Sequence, residues 1–118
     1  MAIIAPITLL AATGCHSYHV ETKVINHTEG PIRLLEVDYP SASFGVNGLA
    51  AGEEYHYRIQ LRGSGPLKVQ YTGNDGRKSH MEGPMLFERQ EGRVEIVLLP
   101  GGKAEFHPEL SNAIAVIK

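Results

Sequence analysis

The sequence has no tryptophan, a single cysteine and no excess of charge of one sign. A lone cysteine excludes an internal disulfide framework and any metal site built on paired cysteines. A formal net charge of −2 over 118 residues excludes the broad basic surface that draws proteins to nucleic acid, so no nucleic-acid partner is expected. Beyond residue 15 no apolar run approaches the ~20 residues of a membrane-spanning helix. No segment there shows a capped 3.6-residue period, so helices are not expected either.

What the chain does hold is thirteen glycines, seven prolines and five tyrosines, with 42% apolar and 20% charged residues. That balance is globular, the length is that of one domain, and the mixture suits short strands joined by tight turns. Tyr18, Val20, Thr22 and Val24 alternate with His19, Glu21 and Lys23. Tyr55, Tyr57, Ile59 and Leu61 oppose His56, Arg58, Gln60 and Arg62. Leu67, Val69 and Tyr71 oppose Lys68 and Gln70. Period two argues for strands with one wet face.

Other segments are less regular. Ile32, Leu34, Leu35, Val37 and Tyr39 cannot share one face, which predicts a bulge near Leu34-Leu35. Val94 and Ile96 to Leu99 read as a strand covered on both sides, and residues 43–50 and 78–87 as extended. Ten glycines, at positions 30, 52, 63, 65, 73, 76, 83, 92, 101 and 102, are expected between or at the ends of strands.

Parity suggests register. With Gly63-Ser64-Gly65 as a hairpin loop, Leu61 faces Leu67, Ile59 meets Val69 and Tyr57 meets Tyr71. With Pro100-Gly101-Gly102 as another, Leu98 pairs with Ala104 and Ile96 with Phe106. Turn signals every 8–12 residues predict an all-β fold, an immunoglobulin-like antiparallel β-sandwich of seven or eight strands. An antibody-type domain is excluded, since its Cys…Trp…Cys signature cannot exist here.

The first fifteen residues stand apart: they are apolar, uncharged in their side chains and broken by Pro6, and they end in Ala12-Thr13-Gly14-Cys15. A signal-peptide core of about 7–15 residues closing on small residues fits them better than a strand or a spanning helix. The four closing residues resemble the lipobox of bacterial lipoproteins. That family prefers leucine where Ala12 stands and a lysine or arginine ahead of the run, which is missing here. The resemblance implies that Cys15 receives a diacylglyceryl group, that residues 1–14 are removed, and that the new amino terminus is often acylated, with palmitate as the expected acyl group. Residues 15–118 then form one lipid-anchored domain in the cell envelope. Because His16 and not aspartate follows the cysteine, the outer membrane is implied in a diderm cell. The alternatives are a secreted or periplasmic protein, or a soluble domain with this segment as its first strand.

The segments YPSASFG, LAAGEEYHYR and LRGSGPLKVQY also resemble small uncharacterised exported bacterial β-sandwich proteins, a likeness that implies no activity. Six histidines (His16, His19, His27, His56, His80 and His107) form no HxH, HExxH or Cys/His pattern, so no metal and no cofactor is expected. Gly63-Ser64-Gly65-Pro66 lacks the following helix of a phosphate loop, and Ser41 and Ser43 lack a GxSxG elbow. Asn26-His27-Thr28 reads as a strand end before a turn at Thr28–Pro31, although it spells a glycosylation sequon.

The hairpin pairing at Gly63–Gly65 would bring His56, Arg58, Gln60, Arg62, Lys68 and Gln70 to one solvated face. His56, Arg58, Arg62 and Lys68 are its candidate contacts for an anionic glycan, a lipid headgroup or an envelope protein. Ordinary solvated strand faces explain the same residues. The expected function is a non-enzymatic, lipid-anchored binding or structural module. A small envelope enzyme with its site in residues 40–48 or 77–84 is the alternative.

Overall fold

The computed structural model describes residues 18–111. Expectations for residues 1–14 and Cys15 lie outside the described residues. Eight strands follow one another: β1 (Val20–Asn26), β2 (Ile32–Tyr39), β3 (Ala42–Leu49), β4 (Glu54–Ile59), β5 (Gly65–Thr72), β6 (Lys78–Leu86), β7 (Glu91–Leu99) and β8 (Lys103–Ser111). They form two four-stranded sheets, in the orders β4-β1-β7-β8 and β3-β2-β5-β6, and no helix occurs among the described residues.

Alternation in the sequence decides which side of each strand turns inward. Val20, Thr22 and Val24 of β1 are buried while Glu21 is exposed, as period two requires. Ile59 from one sheet, Leu61 from the segment that follows it, and Leu67, Val69 and Tyr71 from the other sheet meet in a shared core with Leu35, Val37, Val94, Ile96 and Leu98. The two sheets therefore stack as a sandwich. Each fully buried aliphatic side chain adds roughly 1.5–3 kcal/mol, so a core of this extent holds a domain without a disulfide. On β1 and β7 the outward Ile25 and Val97 are covered as well, at 8% and 9% exposure. The double-sided burial read for residues 94–99 comes from this central position.

The bulge falls where it was expected. The ladder between β2 and β5 shifts register between Arg33 and Glu36, and Leu34 takes a positive φ of 53°. The shift turns Leu34 outward, 57% exposed, and seats Leu35 in the core. Gly45 of β3 allows this, because a Cβ there would collide with the Leu35 carbonyl oxygen.

The β7–β8 hairpin has the expected register, Leu98 opposite Ala104 and Ile96 opposite Phe106. Its loop carries Gly101 and Gly102 at φ 84° and 71°. The other predicted hairpin does not exist. β4 pairs with β1, placing Ile59 opposite Val20 and Tyr57 opposite Thr22, whereas β5 lies between β2 and β6 in the other sheet. Residues 60–64 cross from one sheet to the other. Strands side by side and strands face to face both need their apolar side chains inward, so parity alone cannot separate the two.

Two further expectations are corrected. β1 and β7 run parallel, a pairing made when the intervening chain passes through the opposite sheet and returns. In the same topology β1 and β2 lie in different sheets. Gly83 sits inside β6 rather than between strands or at a strand end. At Gly83 the missing side chain leaves room for the Phe106 ring, which closes the sandwich between edge strands β6 and β8.

The sandwich has two ends. At the entry end β1 begins, β4 finishes and the Pro40-Ser41 turn joins β2 to β3. At the opposite, far end the connections 27–31, 73–77 and 100–102 come together.

Candidate functional site

The outer face of the β4-β1-β7-β8 sheet is a lattice of alternating charges. Across the four strands one row reads Arg58, Glu21, Arg93, Glu109, with Arg58 Nε donating to Glu21 at 2.7 Å and Arg93 Nε to Glu109 at 2.8 Å. The next row reads His56, Lys23, Glu95, His107, with Lys23 Nζ 3.7 Å from Glu95. His56 Nε2 also stands 3.1 Å from Glu54. Pairs this exposed contribute about 0–1 kcal/mol each, but they balance the face locally. His56 belongs to this lattice and not to a free cationic patch.

Lys68 is on the other side of the molecule. It lies on the outer face of the β3-β2-β5-β6 sheet, opposite Asp38 on β2 and Glu82 on β6. The expected common face is thus divided between the two outer surfaces, because the hairpin that would have joined them is a sheet-to-sheet crossing. Beside Lys68, Glu36 and Asp38 share one face of β2, and Gln70 Nε2 donates to Glu36 at 3.3 Å. A hydrogen bond with Asp38, and then its charge, hold the Glu36 carboxyl above its ordinary pKa.

Arg62 differs from these residues. It lies just beyond the end of β4, exposed, and its Nη2 donates to Gln60 Oε1 at 2.8 Å. Among the described residues no carboxylate lies within ion-pair distance of it. The adjoining turn is tied to it: Ser41 Oγ donates to the Gln60 carbonyl at 3.4 Å and accepts from the Arg62 amide at 3.5 Å. Pro40 followed by Ser41 at φ 102° is the backbone pattern of a type II turn.

Arg58 and Arg62 flank a groove of about 320 Å³ at the entry end, whose other walls are His19, Tyr39, Tyr57 and Gln60. Two of these walls, Tyr39 and Tyr57, belong to an aromatic cluster between edge strands β3 and β4. Buried Phe44 stacks on Tyr57, with centroids 4.6 Å apart and planes at 21°, and packs against Tyr55 at 6.1 Å and Tyr39 at 6.3 Å. Tyr57 stays 41% exposed because it sits where the two sheets part. Burial, and secondarily the neighbouring Tyr57, push the Tyr39 hydroxyl above its ordinary pKa, so it remains a hydrogen-bond donor throughout neutral conditions. Apolar ring faces, phenol hydroxyls and two guanidiniums together suit a ligand with an apolar stem and an anionic group.

The alternation of the sequence identified Arg58 and Arg62. It did not identify Tyr39 as their neighbour, nor Tyr57 as exposed. The available signal was the aromatic pair flanking His56 and the Tyr39-Pro40 turn, but only sheet order brings them together.

A second, wider cleft of about 580 Å³ opens at the far end among loops 27–31, 73–77 and 100–102. Fully buried Asn26 organises its wall: Nδ2 donates to the Gly30 and Leu49 carbonyls at 3.0 Å, and Oδ1 accepts from Thr28. The sequon asparagine is thereby a structural strand end. Glu29, Asp75, Arg77 and Lys78 give this cleft both signs of charge. Residues 40–48 and 77–84, the segments expected to carry a loop-built catalytic site, are mostly β3 and β6. Among the described residues no three histidine, aspartate or glutamate side chains are arranged to hold a metal ion.

No family model and no curated protein matches the sequence. Among solved structures, the chain is similar in fold to a protein from Eubacterium rectale solved by NMR, at a TM-score of 0.57 and 18% identity. The alignment covers 80% of this chain and 93% of that one.

Proposed function

We propose that the protein is a lipid-anchored binding module of the bacterial cell envelope, held at the membrane by acyl chains on Cys15 and without catalytic activity of its own. One observation carries the reading: β1 begins at Val20, five residues after Cys15. A leash that short, at most about 18 Å when fully extended, would keep the entry end of the sandwich against the bilayer and direct the far-end loops outward. A cysteine bearing two or three acyl chains anchors stably, whereas one chain alone would not. The far-end cleft, with its mixed charges and its Asn26-organised wall, is then the surface offered to an envelope protein or glycan.

The test is metabolic labelling with a clickable fatty acid. The wild type is expected to take up label and to fractionate with membranes, while Cys15→Ala is expected to do neither. Unlabelled wild-type protein would overturn the reading.

A further inference from the structure

We propose that the Tyr39–Tyr57–Arg58–Arg62 groove seats the phosphate headgroup of an anionic phospholipid in the membrane that holds the tether. This rests on the lipid anchor argued above and adds a second contact to it. His19, one wall of the groove, follows Cys15 by four residues, so about 14 Å of extended chain is the most that can separate the groove from an acylated cysteine. Of the surfaces described, this one has the shortest leash.

The chemistry of the groove matches what lies within that reach. A guanidinium presents a planar fork of donors suited to phosphate, and Arg62 has no carboxylate partner among the described residues. Arg58 keeps its Nε on Glu21 and also lines the groove. Tyrosine favours the membrane interface, where its ring meets acyl stems and its hydroxyl meets headgroups. About 320 Å³ is at the small end of ligand pockets, a fit for one headgroup rather than a polymer.

Glu88 on the β6–β7 connection and Glu91 at the start of β7 lie at the same end, so this end is not uniformly basic and contact is made through the groove. The tether supplies what the small groove lacks in affinity. Binding becomes intramolecular, with an effective headgroup concentration in the millimolar range or above, so a site too weak for a soluble ligand is still occupied.

The experiment uses isotopically labelled, lipidated protein purified from membranes and reconstituted in bilayer discs doped with a gadolinium-chelating lipid. The discs contain phosphatidylcholine alone, or equal parts phosphatidylcholine and phosphatidylglycerol. With phosphatidylglycerol the amide signals of Ser41, Tyr57 and Arg62 are expected to broaden, and those of Gly76 and Gly101 at the far end to stay sharp. Arg62→Gln is expected to weaken the groove contact about fivefold, the equivalent of about 1 kcal/mol for one arginine at an anionic surface. Lys68→Gln on the opposite sheet is expected to change nothing.

Equal broadening in both discs, or broadening indifferent to Arg62→Gln, would overturn the inference. So would a groove that answers free glycerol phosphate, or a soluble acidic oligosaccharide, as strongly as it answers the disc. An intact mass without acyl chains would remove the anchor itself, whereas an acylated protein with a silent groove would remove only this second contact.

Discussion

Thr22 faces the core from the middle of β1, and its Oγ1 is buried with no hydrogen-bond partner. A hydroxyl in that position gives up water and receives nothing in return, while the Thr22 methyl packs as a valine methyl would. Thr22→Val is therefore expected to stabilise the domain by about 1 kcal/mol, seen as a rise in melting temperature of about 4–8 °C. Asn26, four residues on, is buried just as deeply, yet its amide is matched on both sides. Asn26→Ala would leave the Gly30 and Leu49 carbonyls without this donor and release the 27–31 loop. Its expected cost is roughly 2–4 kcal/mol in denaturant unfolding. Two buried polar residues on one strand thus carry opposite predictions, and hydrogen-bond partnering, not burial, decides the sign.

Among the elements, β2 concentrates the irregularity. Leu34 at φ 53° and Gly45, which pairs with Glu36, form one device: the bulge draws the Leu35 carbonyl into space that only glycine leaves open. Beyond it, the Glu36–Asp38 pair sets a pH dependence. A carboxyl whose folded pKa is raised favours its protonated form in the native state. Its contribution is complete below the ordinary glutamate pKa and is lost as pH climbs through the folded value. Glu36→Gln keeps an acceptor for Gln70 and removes the like charge beside Asp38. Its melting temperature is expected to exceed the wild type's at neutral pH, with the gap closing as the pH falls toward the glutamate range. A gap that widens on acidification would contradict this assignment.

Hairpins and crossings explain how far the elements could be read in advance. The β7–β8 register followed from pattern because a short glycine loop leaves two strands no choice but to pair. The segment 60–64 is also short and also carries a glycine, Gly63, but it bridges the sheets. Arg58 was legible as an outward residue of β4, and Arg62 as a residue in phase with it, which the structure places just beyond the strand. Their partnership with Tyr39, and the removal of Lys68 to the opposite surface, depend on sheet order, which alternation does not encode.

For the molecule as a whole, the topology gives the two ends different surroundings. The entry end collects the start of β1, the Pro40-Ser41 turn and the tyrosine–arginine groove. The far end collects three loops and the wider cleft. If Cys15 carries lipid, these become a membrane-facing end and an outward-facing end of one rigid sandwich. Intact mass spectrometry of the protein extracted from its native membranes tests this most directly. The account predicts a chain that has lost residues 1–14, begins at Cys15 and carries the added mass of two or three acyl chains on that residue. An unmodified chain still starting at Met1 and recovered from the soluble fraction would contradict it.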